Sequence, residues 1–230
     1  MSDLFDTVRE LKQDIFRNIV YIRPDSFSDL HDNEPNAENI ARNAVSNVID
    51  AGAGIPLEFH YMTAIQYPFE TDHFMASRYS DGTFPVWYGS LEQETTLYET
   101  IHHMMKEEMK IENIKSIPVI TRERIIYHVY CNGILIDLSK KTKFFPKLIS
   151  EDYLETQKIG KQLYQQGFPG LLAYSARYPN GTNANIFKSE ILFDPKPYTK
   201  LIYQLYCVFR PHPNSNSGNI RTLIPVLSVH

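Results

Sequence analysis

Residues 77–89 read SRYSDGTFPVWYG, and this stretch decides which fold the sequence predicts. Short strand-like runs at 73–80 and 84–89 flank the pair Asp81-Gly82. An Asp-Gly pair between two such runs is a strong local signal for a β-hairpin. The sequence therefore predicts two adjacent strands joined by a turn, near the start of a region rich in strands.

The register of this hairpin decides whether Arg78 and Tyr88 can share a pocket. Side chains alternate along a strand, so a plain two-residue turn would point these two residues to opposite faces. A three-residue loop with Gly82 in the left-handed region shifts the register by one and brings both to one face. We predict that bulged loop, or an irregular strand around Pro85.

The rest of this region contains both helices and strands. A helix is predicted from Ser90, with Gln93 completing a capping box, to about Met109. A second helix is predicted from Ser150 to the stop signal Gly167. Strands are expected at 116–120, 125–130, 134–138, 171–175, 185–192, 201–209 and 222–226. Strands that follow one another in runs, without strict alternation with helices, indicate an α+β fold.

The first 58 residues are expected to form a helical N-terminal extension packed on the core. Apolar residues recur at helical spacing over about the first 18 positions: Leu4, Val8, Leu11, Ile15 and Ile19. A polar loop leads to a second predicted helix over 40–49. We therefore divide the chain into the extension, residues 1–58, and a single domain, residues 59–230.

Composition excludes several classes of protein. The net charge is −4, whereas a nucleic-acid-binding protein usually has an excess of basic residues, so direct binding to nucleic acid is not expected. No apolar run approaches the roughly 20 residues of a membrane span, and the N-terminus lacks the pattern of a signal peptide. Cys131 and Cys207 lie in apolar runs and are expected to be buried thiols. A cytoplasmic location is expected.

Motifs for several kinds of site are absent from the sequence. The glycines form no phosphate-binding loop, and no nucleophile elbow is present. His102 and His103 are neighbours on a predicted helix and point about 100° apart, so they are poorly placed to bind one metal ion. The sequence therefore predicts no metal site.

Three segments, taken in order, resemble one known family. Residues 77–89 have an Arg-aromatic-Ser-Asp-Gly hairpin with a Tyr on the second strand. Residues 95–103, TTLYETIHH, resemble a helix with a Glu before a His. Residues 170–177, GLLAYSAR, resemble a Gly-apolar strand ending in Ser-x-Arg. Together they are similar to the RES domain, a family associated with toxin–antitoxin operons, and the resemblance covers about residues 60–195.

The resemblance implies an ADP-ribosyltransferase-like mixed sheet with flanking helices, and an attack on the nicotinamide–ribose bond of NAD. Arg78 would bind the pyrophosphate as a forked cation, and Tyr88 would contact the nicotinamide ring. Glu99 would stabilise the oxocarbenium-like ribose and hold a ribose hydroxyl. Ser175 would donate to the ribose or to a phosphate oxygen. No cofactor beyond NAD, the substrate, and no metal is implied.

Glu99 would look like a solvated helix residue without this resemblance. The apolar residues of its helix fall on one arc, made of Leu97, Tyr98, Ile101, Met104 and Met105. Glu99 lies opposite that arc, so a functional role requires the polar face of the helix to line a cleft.

Several functions are compatible with these residues. The leading hypothesis is a toxin-type NAD glycohydrolase or phosphorylase controlled by a protein antitoxin. A protein ADP-ribosyltransferase would use the same pocket, because the acceptor (water, phosphate or a protein side chain) is not encoded by the residues that hold NAD. A non-catalytic module that binds a nucleotide or a protein partner is the third alternative. The helical extension offers a surface for docking the antitoxin or for forming a homodimer.

Overall fold

The computed structural model describes residues 4–21, 60–110, 119–210 and 220–229, and the side chains of those up to residue 206. Two α-helices lie entirely within this part, α1 (Gln93–Glu108) and α2 (Leu154–Gln165). The strands are β1 (Val8–Val20), β2 (Ala76–Ser77), β3 (Ser80–Asp81), β4 (Trp87–Ser90), β5 (Val119–Asp137), β6 (Gly170–Tyr174), β7 (Thr182–Ile186), β8 (Leu192–Arg210) and β9 (Ile220–Val229). Short helical turns occur at Met62–Gln66, Tyr67–Phe69, Thr71–His73, Pro146–Ile149 and Ser189–Ile191.

Seven strands form one mixed sheet, in the order β1-β4-β7-β6-β5-β8-β9, and β2 and β3 form a separate hairpin. Strand β1 also pairs with β5, so β1, β4, β7, β6 and β5 close into a ring. All neighbours in the large sheet are antiparallel except β5 and β6. The α+β class predicted from the sequence is confirmed.

The predicted N-terminal helix is wrong, because residues 8–20 form strand β1. This strand pairs with β5 over its whole length, from Val8 opposite Ile136 to Val20 opposite Arg124. Leu11 and Ile15, spaced by four, are both fully buried. A spacing of four places residues on one side of a helix, but as an even number it also places them on one face of a strand. The second predicted helix, residues 40–49, lies outside the described residues.

The predicted turn at Asp81-Gly82 is also misplaced, because the hairpin turns at Arg78 and Tyr79. Ser77 pairs with Ser80 in the short β2–β3 ladder. Gly82 follows this ladder with φ +87°, so the predicted left-handed conformation at Gly82 is confirmed.

The backbone between Gly82 and β4 makes no ladder, which confirms the irregular stretch expected around Pro85. The Ser80 hydroxyl donates to the Phe84 carbonyl at 2.9 Å and accepts from the Gly82 amide at 3.0 Å. Asp81 accepts from the Thr83 amide and is paired with Lys161 of α2. These side-chain contacts replace strand pairing, so no hairpin register relates Arg78 to Tyr88.

Helix α1 is confirmed, but its predicted capping box is wrong. Ser90 belongs to β4, where its hydroxyl donates to Asn183 at 2.9 Å, and the N-cap residue is Glu92. The Glu92 carboxylate accepts from the Thr95 hydroxyl at 2.7 Å and from the Thr182 amide at 2.8 Å, which fastens the helix start to β7.

Helix α2 is confirmed as well, although it begins later than predicted. The Asp152 carboxylate accepts from the Leu154 amide at its start. Gly167 follows its end with φ +81°, as expected of a glycine that stops a helix. The three strands predicted between 116 and 138 are one continuous strand, β5.

The apolar core is divided between the two faces of the sheet. One cluster contains, among others, Leu11, Ile15, Trp87, Val129, Leu172, Ala184 and Ile186. The other clusters contain residues of α1 (Met104, with Leu97, Ile101 and Met105 beside it) and of α2 (Leu163). Because side chains alternate along β4 and β7, Tyr88 and Asn183 face away from the first cluster. A polar region therefore lies on the face of the sheet that carries both helices.

Cys131 is fully buried, and burial raises the pKa of its thiol to about 12, which confirms the prediction for this residue. The side chain of Cys207 lies outside the described part. In the described residues, no helix is both long and apolar enough to cross a membrane.

The burial of β1 predicts how two substitutions in it will differ. Ile15→Ala should lower the free energy of unfolding by about 2–5 kcal/mol, because Ile15 is fully buried within the first cluster. Val8→Ala, at a residue that is 58% exposed on the same strand, should change it by no more than about 0.5 kcal/mol. Urea denaturation of both variants measures this. Equal, small effects would show that β1 is not part of the core.

Candidate functional site

The carboxylate of Glu99 is held where α1 meets the ends of β6 and β7. Its Oε1 accepts a hydrogen bond from the Ser175 hydroxyl at 2.6 Å and another from the Asn183 side-chain amide at 2.7 Å. The Glu99 side chain is 20% exposed. Glu99 is therefore not a solvated helix residue, and the part of the polar face of α1 around it is turned toward β7.

The two oxygens of this carboxylate are placed differently. Oε1 is occupied by both donors, whereas Oε2 lies 3.8 Å from Nε2 of His103, beyond hydrogen-bond distance. Burial lowers the pKa of His103, and the negative charge of Glu99 opposes that shift. The arrangement fixes one oxygen and leaves the other directed at a histidine one turn along the helix.

Ser175 holds Glu99 in place. Its hydroxyl donates to Glu99 and accepts from the backbone amides of Arg177 and Tyr178 at 3.1 and 3.0 Å. Ser175 is 1% exposed. The only hydroxyl proton is thus already used within the protein, so the contact expected with ribose or phosphate would require an exchange of partners.

Tyr88 lies under the hairpin that carries Arg78. Its hydroxyl is hydrogen-bonded to Ser77 and accepts from the Tyr79 amide at 3.2 Å, so it touches the residues on both sides of Arg78. Burial raises the pKa of Tyr88 to about 12, which keeps the phenol protonated near neutral pH. The structure brings Arg78 and Tyr88 together, as the resemblance implied.

Arg78 is held by residues 146–153, a segment that precedes α2 and is called the strap below. Its Nη1 donates to the carbonyls of Leu148 and Ser150 at 3.2 and 2.6 Å. Its guanidinium lies 4.5 Å from the centre of the Tyr153 ring. The forked cation expected to bind a pyrophosphate is thus oriented by a neighbouring segment.

Three residues of this site escaped the sequence analysis: Asn183, Glu151 and Tyr153. Asn183 could have been found, because the run Asn183-Ala184-Asn185-Ile186 alternates polar and apolar residues, as a strand with one polar face does. Glu151 pairs with Arg177, and Tyr153 stacks under Arg78. No local sequence pattern identifies Glu151 and Tyr153 as site residues, because their partners are distant along the chain.

The charges of the site suit an anionic ligand better than a metal ion. Arg78, Arg177 and Lys106 all contact the strap, through Tyr153 or Glu151. Within the described ranges, no three His, Cys, Asp or Glu side chains are grouped as metal ligands would be.

Comparison with known proteins identifies the family of this chain. A model of the RES domain matches residues 54–205, well over half of the chain. The chain belongs to the RES-domain family. All three segments that resemble the family lie within the match, whereas β1 precedes it. No curated protein matches the sequence.

Membership of the RES-domain family gives the site a general meaning. At the level of the family, the function is toxin-like and related to NAD, with an antitoxin as partner. The predicted site residues remain Glu99, Arg78, Tyr88 and Ser175. The structure places Glu99 beside Ser175 and Arg78 beside Tyr88.

The hydroxyl of Ser175 should matter for stability as well as for function. Ser175→Ala removes one donor to Glu99 and leaves the partly buried amides of Arg177 and Tyr178 without this acceptor, so it should lower the free energy of unfolding by about 1–3 kcal/mol. A double-mutant cycle with Glu99→Ala, which removes the accepting carboxylate, followed by urea denaturation, measures how strongly the two residues interact. Strictly additive effects would contradict the contact.

His102 should make stability depend on pH. Burial is the main cause that lowers its pKa below 6.5, and the charge of Arg177 adds to it. The unfolded chain therefore takes up a proton first as the pH falls below about 6.5, so stability is full above that pH and declines toward the lowered pKa. His102→Gln should reduce the decline between about pH 6.5 and 5. Unfolding curves across this range test it, with the difference at pH 7.5 as reference. Parallel curves for the two proteins would contradict it.

Proposed function

We propose that this chain cleaves the nicotinamide–ribose bond of NAD, by hydrolysis or phosphorolysis, as a toxin-type enzyme controlled by a cognate antitoxin. The observation that carries the proposal is the Glu99 carboxylate, which two donors hold through Oε1 while Oε2 is directed away from them. Membership of the RES-domain family supports NAD as the substrate.

Cleavage of the nicotinamide–ribose bond requires a negative charge beside the ribose. The bond from ribose C1′ to the nicotinamide nitrogen breaks, and its electron pair leaves with nicotinamide, which becomes neutral. The ribose becomes oxocarbenium-like, and a carboxylate beside it stabilises that charge. Water or phosphate then bonds to C1′ and loses a proton. Glu99 is suited to the stabilising role because its two donors fix the orientation of the carboxylate.

Arg78 and Tyr88 would position the rest of the substrate. A guanidinium binds phosphate oxygens with two parallel hydrogen bonds, and Arg78 is already oriented by the strap. Tyr88 stays protonated, so its ring and hydroxyl can contact a neutral amide such as that of nicotinamide. No metal and no further cofactor has a role in this proposal.

Glu99→Gln should abolish nicotinamide release while leaving the fold intact. Both hydrogen bonds of Glu99 end on Oε1, and the Oε1 of a glutamine can accept the same two. The substitution therefore removes the charge but not the contacts. We expect purified protein to release nicotinamide from NAD, and the variant to lose at least about a hundredfold in rate.

The matched control is Glu94→Gln, on an exposed residue of the same helix. It should release nicotinamide at the wild-type rate. Dependence of release on inorganic phosphate would identify phosphorolysis, and incorporation of labelled ADP-ribose into protein would identify a transferase instead. Binding of ADP-ribose without any release would indicate a non-catalytic module. Equal rates for wild type and Glu99→Gln would contradict the role of Glu99.

A further inference from the structure

One nitrogen of the Arg177 guanidinium is paired with Glu151, and another has no partner in the described part of the chain. Its Nη1 donates to Oε1 of Glu151, whereas Nη2 is buried and has no hydrogen-bond partner among the described residues. The Arg177 side chain is 14% exposed and that of Glu151 is 62% exposed. A buried donor without a partner is unfavourable, and arginine binds oxyanions best through two parallel bonds. The contact with Glu151 therefore satisfies Arg177 only in part.

The strap links Arg177 to Arg78. Tyr153 lies 4.5 Å from the Arg78 guanidinium, and Lys106 of α1 approaches the same ring at 6.0 Å. Glu151 chiefly, with a smaller effect of Tyr153, raises the pKa of Arg177. The other acidic residue of the strap, Asp152, caps α2. Three cations thus gather around Tyr153, with the Glu151 carboxylate as the anion paired to one of them.

We propose that Arg177 binds a phosphate group of the substrate, and that the Glu151 carboxylate occupies that phosphate position until the substrate displaces it. The identity of the substrate, a dinucleotide with a diphosphate, rests on the proposed function. Each phosphorus of a dinucleotide diphosphate carries two non-bridging oxygens, so one phosphate group can accept from Nη1 and Nη2 together, as one oxygen of Glu151 does not.

Displacing the Glu151 carboxylate from Arg177 requires little free energy. An exposed carboxylate loses little when an ion pair opens, because water solvates it, whereas Arg177 gains a partner for a buried donor. The strap keeps Arg78 oriented through backbone carbonyls, so only one side chain has to move.

This exchange makes Glu151 a determinant of ligand selectivity. A ligand without phosphate cannot replace the carboxylate on Arg177, and it must bind beside an intact ion pair. A diphosphate can replace it and also reach Arg78. Ligands with a diphosphate are therefore selected over nucleosides that carry the same rings.

The test measures binding of ADP-ribose, inorganic pyrophosphate and adenosine by calorimetry, so it does not depend on catalysis. Glu151→Gln removes the competing charge from an exposed position and should lower the Kd for ADP-ribose about two- to fivefold. Arg177→Lys keeps the charge but not the fork, and should raise that Kd about tenfold. Adenosine should respond to neither change.

Glu155→Gln is the matched control, because Glu155 is also an exposed carboxylate paired with a cation, Lys158 of α2. It should leave all three affinities unchanged. Melting curves confirm that each variant is folded, and Glu151→Gln carries the test if Arg177→Lys does not fold.

Each outcome decides the inference separately from the proposed function. An ADP-ribose affinity that Glu151→Gln leaves unchanged or weakens overturns the exchange, even if NAD is cleaved. An affinity that tightens supports it, even if nicotinamide is never released. Failure of every variant to bind ADP-ribose and pyrophosphate overturns the phosphate site altogether.

Discussion

The candidate site depends on two carboxylates that attach helix α1 to strand β7. Glu92 accepts from the backbone of Thr182 at the first turn of the helix, and Glu99 accepts from Asn183 two turns later. Gly181 allows this close approach, because a Cβ there would lie 2.3 Å from the hydroxyl oxygen of Thr95. The position of Glu99 is therefore fixed by the same contacts that dock α1 on the sheet, and any change that loosens the helix also moves the carboxylate.

Arg17, which lies outside the part that matches the RES-domain model, contacts the strand that carries Tyr88. The guanidinium of Arg17, on β1, donates to the carbonyl of Tyr88 and lies 5.1 Å from the centre of the Trp87 ring. Burial lowers the pKa of Arg17 to about 10, so it remains charged at neutral pH. Strand β1 thus closes the ring of strands, and its Arg17 holds the backbone of β4 at Tyr88. The N-terminal region therefore helps to position the Tyr88 side chain.

The sequence predicts the two helices around the candidate site better than it predicts the N-terminal strand. The helix carrying Glu99 follows from its own periodicity, and Gly82 and Gly167 have the backbone conformations that glycine favours. Strand β1 could not be recognised, because apolar residues four apart fit a helix and a strand equally well. The strap could not be placed either, since the contact of Ser150 with Arg78 spans 72 residues and depends on tertiary packing.

The polar contacts of the site suggest how it stays ordered before a ligand binds. Arg78 is held by carbonyls, Arg177 by a carboxylate and Glu99 by a hydroxyl and an amide, so each group already has partners of the kind that a ligand would provide. Side chains oriented in this way lose little conformational entropy on binding, because ordering them was accomplished during folding. The partners differ in how firmly they are held. Backbone carbonyls and the buried Ser175 are fixed by the fold, whereas Glu151 is exposed and can leave, so ligand exchange is expected to begin at Arg177.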